Sequence, residues 1–157
     1  NNYGNLCQRV FSFIKNNCNN VVNRTKIITK SDKLLIDETN KLTKNLRLEM
    51  NKQNLNKYIK SVIDISFLTN KYINDEEPWK HKKKDIERMN NILSLSLEQI
   101  AKISILLNPI IPTASTKVLD ALNLKNQSRN LSFLDGSNIL SDKIKINQLN
   151  ILFKKII

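Results

Sequence analysis

The sequence predicts an all-α protein, an antiparallel bundle of four to five helices with an extended C-terminal arm. Three observations carry this. Only two glycines (Gly4, Gly136) and three prolines (Pro78, Pro109, Pro112) interrupt 157 residues, too few breaks for the many turns of an all-β chain. Apolar residues recur at helical spacing along most of the first 124 positions. A chain of 157 residues with 40% apolar content can enclose one core of its own. There is no internal repeat and no strand–helix alternation of a nucleotide-binding fold.

The elements follow in order. Leu6, Val10, Phe13 and Ile14 mark a first helix running to about residue 16. An asparagine-rich loop is expected over residues 16–30. Ser31 and Asp32 offer a cap to a second helix, whose stripe is Leu35, Thr39, Leu42 and Leu46. A third begins near Gln53 or Asn54, carries Leu55, Ile59, Val62 and Ile73 on one face, and ends before Pro78. A fourth is expected over residues 78–107 through Ile86, Leu93, Leu97, Ile100 and Leu107, where Pro109 and Pro112 break it. Residues 113–122 read as a short fifth. Beyond Leu124 the pattern weakens into polar loops and short apolar pieces. The expected organisation is a bundle over residues 1–124 with a loop and arm over 125–157 packed on it in the same domain.

Composition narrows function. A formal charge of +12 and a pI near 9.8 suit an anionic partner, RNA or a membrane surface. Lysine, asparagine and isoleucine are all abundant while arginine is scarce, a bias that A/T-rich coding produces by itself. The charge therefore permits RNA binding without diagnosing it. Cys7 and Cys18 form no CxxC pair and His81 is the lone histidine, so no ordinary zinc site is expected. Two free thiols point to a reducing compartment, the cytoplasm. No apolar run approaches a membrane span, so no membrane partner is expected. The chain starts Asn1-Asn2-Tyr3 without methionine, as a fragment of a longer protein would. No Gly-rich phosphate loop, carboxylate pair or nucleophile–base set is present, so no catalytic residue, metal or cofactor is expected in this fragment.

The sole tryptophan, Trp79, follows Pro78 and precedes Lys80-His81-Lys82-Lys83-Lys84. Proline fits the first turn of a helix and disfavours helical geometry in the residue before it. Pro78-Trp79 should therefore begin a helix. Lysines in a first turn oppose the macrodipole, and beside an aromatic they suit an anionic, stackable ligand. Burial of Trp79 as a helix-corner anchor beside solvated lysines is the other reading of the same residues, and the one that composition alone favours. Asn5 and Arg9 share one face of the first helix by their i, i+4 spacing. In an up-down-up-down bundle the later half of that helix meets the start of the fourth, and a helix beginning upstream would place both residues in that half. Carboxamide, guanidinium and indole would then converge, a set that can hydrogen-bond and stack unpaired bases.

Asn5-Leu6-x-x-Arg9, Asn70-x-Tyr72, Pro78-Trp79-x-x-Lys82-Lys83-x-Asp85 and Leu107-x-Pro109-x-x-Pro112 occur in an order that resembles the C-terminal anticodon-binding domain of the methionyl-tRNA synthetase family. The resemblance covers most of residues 1–124. Leu152-Phe153-Lys154-Lys155-Ile156 is similar to that family's Leu-Phe-Pro-Arg-Ile ending, with lysine for proline. The Leu-x-Pro-x-x-Pro element is shared by several class I synthetases; the pairing of Asn-Leu-x-x-Arg with Pro-Trp is more specific. The resemblance implies that Trp79 stacks on an anticodon base, that Pro78 shapes the turn presenting it, and that Asn5 and Arg9 hydrogen-bond bases of the CAU triplet of tRNA(Met). Lys80, Lys82, Lys83 and Lys84 would contact phosphates, of which Lys82 and Lys83 lie in the matching motif. Asn70, Tyr72 and Asp85 would fix the corner. The family's His-Ile-Gly-His and Lys-Met-Ser-Lys-Ser signatures are absent. The resemblance thus implies a non-catalytic fragment whose parent joins methionine to tRNA with ATP in a separate catalytic domain of the same polypeptide.

Two other readings stay open. One is the related bundle of a valyl, isoleucyl, leucyl or cysteinyl enzyme. The other is a protein-interaction module with no RNA role, which requires a buried Trp79.

Overall fold

The structure is a computed structural model that describes residues 2–153. Four long helices build the bundle: α1 (Asn2–Asn17), α2 (Lys30–Thr43), α4 (Leu55–Glu76) and α6 (Ile86–Leu107), with shorter α3 (Leu46–Asn51), α5 (Pro78–His81) and α7 (Pro112–Ala121) between and after them. The all-α bundle expected from the sequence is present. A small addition is an antiparallel pair of strands, β1 (Val21–Asn23) and β2 (Lys143–Lys145), with Val22 opposite Ile144.

Helix α6 is the axis of the molecule. Every residue from 91 to 107 is buried, because α1, α4, α5, α7 and β1 surround it. A helix without a solvent face is expected to be apolar all round, but here Asn91, Glu98, Gln99, Lys102 and three serines are buried among the apolar residues. The serines in it are satisfied locally: Ser96 and Ser104 donate to the carbonyls of Ile92 and Ile100 at 2.8 and 2.6 Å. Direction is fixed by long side chains. Tyr58, at the start of α4, donates to Leu106 O at the end of α6 (2.7 Å), while Arg88, at the start of α6, reaches Glu76 at the end of α4. The two helices are antiparallel. Helix α2 is antiparallel to α4 as well, since Tyr72 donates to Asp32 near the start of α2.

Two expected helices differ. The second helix stops at Thr43, and Leu46 begins the separate α3. This turn brings the buried Glu49 carboxylate to the start of α4, where it accepts from Asn54 Nδ2 (3.1 Å) and pairs with Lys57 (3.0 Å). The cap of α2 is Thr29 rather than Ser31 or Asp32. Thr29 and Asp32 form a capping box in which Thr29 N donates to Asp32 Oδ2 (2.9 Å) and Asp32 N to Thr29 Oγ1 (3.4 Å).

The fourth helix is not continuous from residue 78 to 107. It is divided by a turn at residues 82–84, and Asp85 caps α6 by accepting from Arg88 N at 2.9 Å. With Asp85 and Glu87 at its start, α6 places carboxylates where its macrodipole favours them. Lys82, Lys83 and Lys84 are thereby kept out of the first turn of α6, while Lys80 stays within the short α5.

The loop over residues 16–30 contains β1, and the arm is extended along the bundle. Beyond two short 3-10 turns (Asn126–Ser128 and Leu131–Asp135), the backbone amides of Ile139 and Leu140 donate to the buried Glu98 carboxylate of α6 at 2.6 and 3.1 Å. Strand β2 then pairs with β1, Asn147 N donates to Ala121 O (2.7 Å), and Gln8 Nε2 of α1 donates to Asn150 O (3.0 Å). Of the five-residue ending singled out in the sequence, Leu152 packs on the core and Phe153 is exposed; residues 154–156 lie outside the described residues.

Candidate nucleic-acid interface

The end of α4 is an abrupt corner. Glu77 adopts left-handed backbone geometry (φ 44°, ψ 62°), uncommon for a residue with a side chain. Pro78 follows as the first residue of α5 and is buried. The α4 chain ends on Glu77 N donating to Ile73 O (3.0 Å), and α5 starts with Lys80 N donating to Glu77 O (2.9 Å). Pro78, which has no N–H, occupies a first-turn position where none is needed. This sharp exit pushes the next residue outward. Trp79 is 42% exposed, far from the buried anchor that a purely structural role requires.

Helix α1 supplies the rest. Its buried face is Leu6, Cys7, Val10, Phe11 and Ile14, which turns Asn5 to solvent and leaves Arg9 half-buried. The Arg9 guanidinium carbon stands 5.2 Å from the centroid of the Trp79 ring, within cation–π range. Asn5 lies one turn earlier on the same face. Both residues fall in the first half of α1 as described, not the later half expected, and Arg9 reaches the corner nonetheless. The convergence of Arg9 with Trp79 is present.

The lysines divide. Lys80 pairs with Glu77 at 2.5 Å, which occupies its charge within the corner. Lys82, Lys83 and Lys84 are exposed in the turn and, among the described residues, form no ion pair with a carboxylate. Lys82 stands near the end of α1: burial pushes the Cys18 thiol up, and the Lys82 ammonium pulls against that shift. The corner thus presents an aromatic, a guanidinium and uncompensated ammonium groups, with the Asn5 carboxamide exposed one helical turn from Arg9.

Asn70, Tyr72 and Asp85 each make a structural contact. Asn70 Nδ2 donates to Asn2 Oδ1 of α1 (2.6 Å), Tyr72 donates to Asp32 (2.6 Å), and Asp85 caps α6. Behind the corner lies a buried knot that sequence reasoning missed. Asp32, fully buried, takes two hydrogen bonds from Arg88, at 2.8 and 2.9 Å. It also accepts from Asn91 Nδ2 at 2.8 Å. Burial would raise its carboxyl, but the Arg88 guanidinium, the Tyr72 hydroxyl and the Thr29 amide outweigh that and hold it below the usual carboxylate range. The capping-box spacing of Thr29 and Asp32 was visible in the sequence; nothing local pointed to Arg88, 56 residues away.

No group of three or more His, Cys, Asp or Glu side chains among the described residues is placed to hold a metal, and no helix is long and apolar enough to cross a membrane. A cavity of about 420 Å³ at the far end of the bundle is lined by Leu46, Arg47, Met50, Tyr58, Leu106 and Arg129, among others, and by no carboxylate, histidine or cysteine. It offers no acid–base or nucleophilic set.

Comparison with known proteins places this geometry. A family model described as the anticodon binding domain of methionyl tRNA ligase matches residues 22–157. The methionine–tRNA ligase of Rickettsia typhi is 33% identical over 159 residues, covering 99% of this chain and 31% of its own length. That of Rickettsia felis is 38% identical over 132 residues, covering 82% of this chain and 26% of its own. The fold is shared with Mycobacterium tuberculosis methionyl-tRNA synthetase, solved with methionyl-adenylate, at a TM-score of 0.89 and 22% identity over 98% of this chain and 31% of that one. The chain spans about a third or less of the length of these relatives. A bundle matched over most of its residues, with the Pro-Trp corner in place, belongs to the family of methionyl-tRNA ligase anticodon-binding domains.

Proposed function

We propose that the Trp79 corner reads the CAU anticodon loop of tRNA(Met), within a parent polypeptide that attaches methionine to that tRNA using ATP. The observation that carries this is the half-exposed indole with Arg9 over it. An RNA loop splays unpaired bases outward, and such bases are read by stacking and by hydrogen bonds to their edges. With Arg9 on one side of the ring, a base stacks on the other, and Asn5 and Arg9 hydrogen-bond base edges. Lys82, Lys83 and Lys84 contact phosphates, which set affinity and register rather than sequence. Lys80 contributes less because Glu77 holds it. This part of the parent catalyses nothing; ATP and methionine are handled by the catalytic domain of the same polypeptide. Anticodon binding supports specificity by aligning the correct tRNA. The two free thiols suit a cytoplasmic setting.

Anticodon stem-loops carrying CAU and its single-base variants, titrated at low salt while Trp79 fluorescence is followed, test the reading. The expected result is a quench strongest with CAU. Trp79→Ala should weaken CAU binding by about 1–3 kcal/mol, the worth of one stacking platform, with helicity unchanged. Preference for another class I anticodon moves the assignment to a related synthetase. Equal, salt-sensitive binding of every loop with no tryptophan response leaves only a basic bundle.

A further inference from the structure

We propose that Arg88 is a positioning residue for anticodon recognition, setting the orientation of Trp79 without itself touching RNA; this rests on the reading of the corner given above. The segment from 77 to 87 that carries Trp79 hangs between two helices. Arg88 closes it from behind. Its Nη2 pairs with Glu76 Oε2 at 2.5 Å on the last residue of α4, and both its terminal nitrogens hold Asp32 of α2. One guanidinium therefore ties the residue just before the segment to the residue just after it, and ties both to a third helix.

The corner needs such a tie. Glu77 is held in left-handed geometry directly before a proline, a combination that persists only where the surroundings over-determine it. Asp32 is the fixed point. It is fully buried and is held further by Tyr72, Asn91 and the Thr29 amide. Asn91 also donates to Ile27 O at 2.8 Å, which binds the entry to α2 into the same knot. The Arg88 side chain is only 12% exposed, so it works from within. A planar fork satisfying two carboxylates at once is a task that lysine cannot perform.

The test is a double-mutant cycle between Arg88→Lys and Trp79→Ala, with RNA binding read from a label on the CAU stem-loop so that no signal depends on the tryptophan. Arg88→Lys keeps the charge and removes the fork. It should weaken CAU binding about tenfold in the parent background and have almost no effect once Trp79 is alanine, the non-additivity of residues acting as one unit. In the free protein the time-resolved anisotropy of Trp79, the only tryptophan, should show a freer indole while far-UV helicity is retained. If Arg88→Lys fails to fold, Glu76→Gln takes its place in the cycle. It cuts the α4 side of the tie alone, at a side chain 21% exposed, and should weaken binding about threefold with the same dependence on Trp79. Losses that add, or an indole no freer than before, overturn the positioning role alone. A Trp79→Ala variant that binds CAU as well as the parent overturns the reading of the corner, and this role with it.

Discussion

Two buried carboxylate–guanidinium pairs sit along α6, and they serve different ends. Asp32–Arg88 lies behind the Trp79 corner and joins α2, α4 and α6. Glu98–Arg24 lies further along α6, where Glu98 accepts from Arg24 (2.9 Å) and from the Ile139 and Leu140 amides. The first pair locks side chain to side chain between helices. The second anchors backbone: the loop that holds β1 and the arm that holds β2. Rigidity at the corner is thus built into the bundle, whereas the arm is fastened by a latch. A surface that must present one indole in one pose calls for the first arrangement, and a strap across the bundle needs only the second.

The sharpest break of this comparison is Arg88→Ala, which strands Asp32 as a buried charge. Breaking such a pair from one side costs about 3–5 kcal/mol, visible as a fall in the midpoint of urea unfolding. The same knot responds to acid. Because the folded-state Asp32 value is depressed, its stabilisation is complete above the ordinary carboxylate value of about 3.9 and is lost as pH falls from there through the folded value. Asp32→Asn should flatten the acid limb of a stability–pH profile below about pH 4. An unchanged limb means that other carboxylates govern acid unfolding.

Glu98→Ala ranks next. It leaves two arm amides without their acceptor and Arg24 with only Leu140 O and Asp142, and hydrogen bonds to a charged group are worth about 1.5–3 kcal/mol, so a loss of about 2–3 kcal/mol is expected. Its distinguishing effect is local. Limited proteolysis should cut between residues 125 and 142 well before the helices, and CAU binding should persist. If RNA affinity falls as far as in Arg88→Lys, the two anchors are not separable and the comparison fails.

Legibility in the sequence follows the same division. Elements specified by neighbours in the chain were readable: α4 from its apolar stripe, the corner from Pro78, α7 from the break at Pro109 and Pro112. Features that depend on distant partners were not. Strand β1 is three residues long and is defined by β2, more than 100 residues away, so no local period reveals it. The break at residues 82–84 was hidden because Asp85 reads equally as a cap or as one more polar residue in a helix. At the site, spacing placed Asn5 and Arg9 on one face and antiparallel packing brought that face toward Trp79, while the family resemblance assigned the three their roles. The knot around Asp32 had no signal beyond its capping box, since pairing with Arg88 is a tertiary event.

The smallest effect expected is also the one that best separates RNA recognition from bulk basicity. Lys83 in the corner turn and Lys143 on β2 are both exposed lysines, and a chain basic merely through its composition would use them alike. If the corner is the RNA surface, Lys83→Ala removes a phosphate contact. The slope of log affinity against log salt should fall by about 0.7 for a single-stranded loop, equally for CAU and for variant loops. Lys143→Ala, within the arm, should leave slope and affinity unchanged. Lys80→Ala should fall between them, because its ammonium is already paired with Glu77 and surface pairs of this kind give up a phosphate contact's worth only in part. Equal slopes for Lys83→Ala and Lys143→Ala would mean that the charge of +12 attracts RNA from all sides. The corner would then keep its aromatic and its arginine but lose its claim to set the register of the loop.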